Sequence, residues 1–304
     1  MIVGADIGGH HIAAALVDGA TGGIVQGSYR RRDTDRKASP EALIAEWSAL
    51  IDELDSLAGG RVAGVGVAMP GPFDYARGVA HFQGTDKFEA LNGVNVRDAL
   101  RGRARRPYDI RFLNDATAFA VGCWRMGDAP RTGRAAGLTL GTGLGAAFLE
   151  DGIPVIAGEG VPPDGSLWSL PFKAGIADDY VSARWILDQA RAVLGLSADG
   201  VAEVASLARR DPAAAAIFEA YGENLAAIAV PWLVSFGAAG VILGGRITGA
   251  FDLFAPSLQR TFESVGAAVS IRTHQNTEDA AIVGAATAFD PAFWSRARTR
   301  LSGR

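Results

Sequence analysis

Apolar and polar positions along the chain fall into two alternating patterns. "MIVGADI" and "IAAALVD", within the first 19 residues, are short apolar runs joined through Gly8-Gly9, and they predict two strands. In "SPEALIAEWSALIDELDSLAG" (39–59), Leu43, Trp47, Leu50 and Leu54 recur on one helical stripe. Ser39 suits the cap of that helix and Pro40 its first position. "RVAGVGVAMPG" (61–71) predicts a buried strand stopped by Pro-Gly, and a loop-rich stretch runs from Phe73 to Asn95. "YDIRFLND" is another strand, and "ATAFAVGCWRMG" a helix after it. A second series starts near Arg134. "AAGLTLGTGLGAAFLEDG" reads strand, glycine turn, strand, and residues 178–195 and 213–235 read as helices. "AAGVILGGRITGAFDLF" reads strand, Gly-Gly turn, helix start; "VSIRTH" is a late strand and "DAAIVGAATAF" a closing helix.

The two series resemble each other. "GADIGGHHIAAALVDG" (4–19) lies over "GLTLGTGLGAAFLEDG" (137–152) without a gap, matching Gly4 to Gly137, Gly8 to Gly141, and Asp18-Gly19 to Asp151-Gly152. Two similar lobes are expected, each opening on a hairpin with a glycine turn. A cleft between such lobes is a natural ligand site.

Composition narrows the classes. The chain has 304 residues, enough for two domains, with 49% hydrophobic and 20% charged residues, an ordinary globular balance. A net charge of -4 with no basic stripe argues against nucleic acid as a partner. No apolar run approaching the roughly 18 residues of a membrane span stands out, and no leader precedes the first strand, so a cytoplasmic protein is expected. Cys123, the one cysteine, reads as a core residue and excludes an internal disulfide or a Cys-rich zinc site. Lysine occurs only at 37, 87 and 173.

Glycine turns can aim several backbone N–H groups at one point and so bind phosphate, although one such turn is also what any tight hairpin needs. Matched turns at Gly8-Gly9 and Gly141-Thr142-Gly143, with a third glycine pair at Gly244-Gly245, strengthen the phosphate reading. A P-loop would need Lys-Ser/Thr after its last glycine, and a dinucleotide fingerprint would need a helix there; the chain has neither. At "FLNDATAF" (112–119) a strand meets a helix. Asp115 there is either a helix cap or a carboxylate that accepts a hydroxyl proton, with Asn114 on a neighbouring hydroxyl.

Together these segments resemble the sugar-kinase and actin-like superfamily and, within it, the ROK family (repressors, open reading frames and kinases). "ADIGG" (5–9) and "LGTGLGAAF" (140–148) resemble its two phosphate motifs. "MPGPFD" (69–74), "LND" (113–115), "DDYVSARWI" (178–186) and "ILGGRI" (242–247) match its landmarks in order. The resemblance implies an α/β protein of two actin-like (ribonuclease H-like) lobes with a central cleft. The first lobe would span 1–116, completed by the C-terminal helix 281–304, and the second 117–280. It implies transfer of the γ-phosphoryl of ATP to a hydroxyl of a sugar or sugar-like polyol, with magnesium, in a homodimer. Asp115 would be the general base and Asn114 a sugar ligand. Gly8, Gly9, Gly141, Thr142 and Gly143 would cradle phosphates, Gly244 and Gly245 would lie against the nucleoside, and Asp6 would sit near Mg2+ through water.

Three departures stand on the acceptor side and beside the first turn. His10 and His11 replace the usual Thr and Lys; adjacent histidines on a strand point to opposite faces, and His10 is the candidate for a phosphate hydrogen bond. The family's zinc motif is absent, its place filled by "SLWSLPFKAGIA" (166–177), where Trp168 could form an apolar wall. "AGEGVPPDG" (157–165) keeps the Glu of a sugar-binding Glu-x-Gly-His as Glu159 but has Pro162 for His. Asp178 falls where another sugar-contacting Glu is expected, and Thr85 near a substrate-contacting Thr. These departures imply a retained kinase reaction with an unusual acceptor, a modified sugar or a cyclitol. The rivals are a silent sugar-binding pseudokinase and a kinase that uses polyphosphate. With Asp6 so near the first residue, a preceding DNA-binding domain is not expected.

Overall fold

The computed structural model describes residues 1–84, 87–130 and 133–301. The chain divides into two compact units, Met1–Gly127 with Asn276–Arg304, and Asp128–Gln275. The helix Asp115–Met126, which a boundary after residue 116 would cut, belongs whole to the first unit. Its partner there is the helix Thr277–Thr287, returning from the far end of the chain.

Each unit is built on a five-stranded sheet of the same order. In the first, Ile2–Ile7 is central. It pairs antiparallel with His11–Val17, which pairs with Arg30–Asp33, and parallel with Val65–Met69, which pairs with Ile110–Asn114. In the second, Arg134–Leu140 is central; Leu144–Glu150 and Ile153–Val155 follow antiparallel on one side, Gly240–Gly244 and Ser270–Thr273 parallel on the other. The short strands Arg30–Asp33 and Ile153–Val155 lie outside the sequence expectation, because four or fewer residues carry too little period to read.

The internal repeat is real but gapped. Gly4 pairs with Ala15 and Ile7 with Ile12, whereas Gly137 pairs with Ala147 and Leu140 with Leu144. The first turn is therefore one residue longer than the second. An ungapped overlay would set Ile12 on Gly145 and flip every later side chain to the other face of the sheet. Ile12 and Leu144 are the true equivalents, and both are buried.

Alternation along Ile2–Ile7 sends Val3, Ala5 and Ile7 to one face, where they pack with Leu43, Trp47 and Leu54 of the helix Pro40–Leu57. Ser39 caps that helix, accepting the Ala42 N–H at 3.3 Å. Gly4 and Asp6 share the other face. Gly4 stands beside Gly66 in register, and both lie directly under the backbone of the helix Thr277–Thr287, so a Cβ on either would run into a carbonyl of that helix. The second unit has its core around Phe148, Phe218, Tyr221, Phe236 and Phe254. Its helix Pro212–Phe236 has the length and mean hydropathy of a membrane-crossing helix, which the sequence reading did not single out. Within the unit, however, Phe218, Tyr221, Asn224, Leu225 and Leu233 of that helix are all buried.

The predicted helix 178–195 is two helices, Ala177–Tyr180 and Ala183–Leu194. Ser182 breaks the run by capping the second helix, accepting the Trp185 N–H at 3.3 Å.

Candidate active site

In the first unit Asp6 and Asn114-Asp115 come to the carboxyl ends of parallel strands on either side of Val65–Met69, the usual ligand-facing edge of an open α/β sheet. The helix cap is Asn114 and not Asp115: Asn114 Oδ1 accepts the Thr117 N–H at 3.2 Å. Asn114 Nδ2 donates to Asp115 Oδ1 at 2.9 Å and to the Tyr75 hydroxyl at 3.1 Å. That hydroxyl in turn donates to the Met69 carbonyl at 3.2 Å. Asn114 is thus largely occupied with orienting Asp115. Ala116 N–H also donates to Asp115 Oδ1, at 2.8 Å. Oδ2 accepts no hydrogen bond among the described residues, so one oxygen is fixed and the other is available.

Loss of water around Asp115 raises its pKa; the Lys87 charge, the Ala116 N–H and the Asn114 amide hold it back, in that order. Lys87 is missing from the sequence expectation. Its stem lies over the first glycine turn, where a Cβ at Gly9 would come within 3.8 Å of it. The available signal was its rarity, one of three lysines in an arginine-rich chain.

Asp6 is pushed up to about 8, first by loss of water, then by the charges of Asp115 and Glu278. A hard carboxylate held against its own ionisation among other carboxylates suits a divalent cation, so the residues present fit the magnesium that the resemblance implies. The sign of the pH effect follows. Unfolded, Asp6 titrates near 3.8; folded, near 8. The folded state therefore holds the extra proton between these values, and stability without metal falls as pH rises through them. Asp6→Asn is expected to remove that part of the slope, checked by denaturant titrations of both proteins in chelator at pH 5 and pH 8. An equal loss of stability in both would exclude Asp6 as the source.

His10 and His11 part company, although the strand His11–Val17 begins only at the second of them. His10 is exposed in the turn. His11 faces inward, its Nε2 2.8 Å from Glu278 Oε1 and its ring beside Gly8. Glu278 Oε2 accepts the Tyr29 hydroxyl at 2.6 Å. Glu278 begins the closing helix, too far along the chain for its place here to be read from sequence. The first turn spends the Gly8 N–H on the His11 carbonyl at 2.9 Å; the N–H groups of Gly9 and His10 have no partner among the described residues.

In the second unit Gly141–Gly143 closes the hairpin. Gly141 N–H bonds the Gly143 carbonyl at 3.1 Å, leaving the N–H groups of Thr142 and Gly143 without a partner among the described residues. Gly244-Gly245 ends the neighbouring parallel strand. Gly245 has φ 92° and crosses so close to the Leu140 backbone that a Cβ there would collide with it. Both turns therefore share one edge of the sheet. Asp178 joins them, its Oδ1 accepting the Leu144 N–H at 2.6 Å. Trp168 is exposed, and its carbonyl accepts the Asp178 N–H at 3.0 Å.

Glu159 does not join them. It is exposed beside Arg134, Glu150 and Phe236, in a cavity of about 370 Å³ at the opposite end of the central strand from Gly141. At about 3.3 Å per residue, that strand puts roughly 20 Å between the two ends. The spacing of "AGEG" suggests a sugar ligand, but the segment after the strand Ile153–Val155 packs against Ser235 and Phe236 beside Arg134. Glu159→Gln is expected to leave turnover and acceptor KM within about twofold, as for a surface change; a tenfold rise in acceptor KM would bring Glu159 back to the site. Thr85 lies outside the described residues.

These features define the class: an α/β protein of two actin-like lobes, one carrying paired carboxylates and both carrying glycine turns at the carboxyl edge of their sheets. The ROK family model matches residues 2–290, and the chain belongs to the ROK family. N-acetyl-D-glucosamine kinase of Shigella boydii is 29% identical over 155 residues, 51% of this chain and 48% of the relative. The chain thus matches about half the length of that curated relative. The ROK hexokinase of Thermus thermophilus shares the fold, with TM-score 0.77 and 22% identity over 94% of this chain and 96% of that one. The inorganic polyphosphate/ATP-glucomannokinase of Arthrobacter sp. strain KM superposes with TM-score 0.66 and 27% identity, over 94% of this chain and 96% of that one.

Proposed function

We propose that this protein transfers the γ-phosphoryl of ATP to a hydroxyl of a sugar or sugar-like polyol. The carrying observation is Asp115: one oxygen fixed by Asn114 and Ala116, the other available, the pKa raised by loss of water. A carboxylate raised in this way is a stronger base toward an alcohol proton than an exposed one. In this reading Asp115 Oδ2 takes the proton of the attacking hydroxyl as the oxygen bonds to phosphorus. Asn114 holds the carboxylate in line, and the Lys87 charge limits the rise of its pKa. The N–H groups of Gly9 and His10 in the first unit, and of Thr142 and Gly143 in the second, have no partner among the described residues, which suits each turn to phosphate oxygens. Asp6 would hold the magnesium, through water; bound there, the ion would neutralise charge on the phosphates. Positioning and charge stabilisation are most of what phosphoryl transfer requires.

The relatives named N-acetyl-D-glucosamine kinase and polyphosphate/ATP-glucomannokinase support a carbohydrate acceptor. The absence of the Glu-x-Gly-His histidine and the remote place of Glu159 argue for an acceptor gripped differently. The test is ADP release from MgATP across hexoses, N-acetylhexosamines, polyols and cyclitols, with phosphate transfer from polyphosphate followed in parallel. One acceptor turned over with ATP supports the reading. Turnover with polyphosphate alone moves the donor, and ligand binding with no transfer from either donor moves the protein to a sugar-binding sensor.

A further inference from the structure

We infer that Asp178 is a positioning residue of the donor side: its carboxylate holds the Gly141–Gly143 turn in shape for phosphate. The inference rests on the kinase reading for the nature of the anion, and its geometry lies within the second unit. The Asp178 carboxylate accepts the N–H of Leu144, the first residue after the turn, at 2.6 Å. The same oxygen lies so close to Gly143 that a Cβ there would collide with it. The other end of the turn is tied as well, because the Gly141 carbonyl accepts the Ala183 N–H at 2.8 Å. Both ties come from one short stretch of chain. Asp178 is itself anchored in the helix Ala177–Tyr180 and through its N–H to the Trp168 carbonyl.

The chemistry follows from which donors are used. A carboxylate on a backbone N–H makes a short, charge-assisted bond, about twice as strong as a neutral one. Spent on Leu144, it fixes the strand end and leaves the Thr142 and Gly143 N–H groups as the anion receptor. Glycine at 143 is what lets the turn lie against the carboxylate at all. Asp, one methylene shorter than the Glu expected at this position, is held at the backbone. Phe148, Tyr221 and Leu225 of the same unit are buried, and the Tyr221 pKa is raised first by burial and then by the Asp178 charge. Asp178 itself is half-buried.

The test is calorimetric titration of the full chain with MgADP and MgATP without acceptor, for the unsubstituted protein and for Asp178→Ala, Asp178→Asn and Asp178→Glu. Asp178→Ala is expected to weaken nucleotide binding about ten- to hundredfold, the usual range for losing a charge-assisted bond. Asp178→Asn keeps an amide oxygen that can accept the Leu144 N–H and is expected to recover most of the affinity. Asp178→Glu keeps the charge but misplaces the bond, and is expected to bind more weakly than Asp178→Asn. Should Asp178→Ala fail to fold, the order of the other two decides. Unchanged affinity in Asp178→Ala, or Glu binding better than Asn, overturns the inference alone. No nucleotide binding by the unsubstituted protein overturns ATP as the donor, and the inference with it.

Discussion

Asp115→Asn is expected to lower turnover by about 10²- to 10⁴-fold, the usual contribution of a positioned general base, while MgATP affinity stays within about threefold. The substitution is nearly isosteric. The helix keeps its cap, because the cap is Asn114. The amide oxygen can still accept from Ala116 N–H and Asn114 Nδ2, so the local hydrogen bonds survive. What disappears is the basic oxygen that faces no donor. Loss of a buried like charge also relieves Asp6, whose pKa Asp115 helps to raise, so the variant is expected to be no less stable than the parent at neutral pH. Steady-state rates with the acceptor found by the panel, nucleotide titration and a melting curve together check the prediction. Near-parental turnover in a folded variant would remove the base. Equal losses of turnover, nucleotide binding and melting temperature would mean a damaged fold.

Gly284→Ala is expected to be the most damaging small substitution in the first unit, costing about 3 kcal/mol, the upper end for overpacking a close-packed interior. A Cβ at Gly284 would collide with the Ala118 carbonyl, and one at the facing Gly122 with the Ala280 carbonyl. These are backbone atoms of two helices, and neither can rotate away as a side chain could. The melting temperature should fall by roughly 6–12 °C. Gly102→Ala is the control. It adds a methyl group to an exposed helix position with nothing within 4 Å and should be neutral or slightly stabilising. A fall of less than about 2 °C in Gly284→Ala would mean that the two helices separate easily. The consequence reaches the site, because the helix Asp115–Met126 carries the proposed base at its first residue.

Local chemistry made much of this protein legible. The hairpins, the Ser39-Pro40 helix start and the three glycine turns are written in consecutive residues, and so are the strand-to-helix junction at Asn114-Asp115 and the membership of the ROK family. Period, capping and turn chemistry act over a few residues, so one chain suffices to read them. The same holds for the likeness of the two halves, although a one-residue difference in turn length was hidden until pairing set the register.

Distance along the chain hid the rest. Glu278 reaches the first unit only because the closing helix folds back onto it, and Lys87 stands over the first turn at the end of a loop without period. Glu159 looked like a site residue because its neighbours resemble a motif, yet the segment after Ile153–Val155 packs it beside Arg134 and Phe236, at the other end of the central strand from Gly141. The cap role that the sequence allowed for Asp115 went to Asn114, through hydrogen bonds of about 3 Å that no spacing encodes. The sequence alone determined the longer elements, the family and the residue types for the chemistry. The tertiary structure decided which carboxylate has an unengaged oxygen and which is spent on backbone, because burial, charge and hydrogen-bond partners come from residues far apart in the chain.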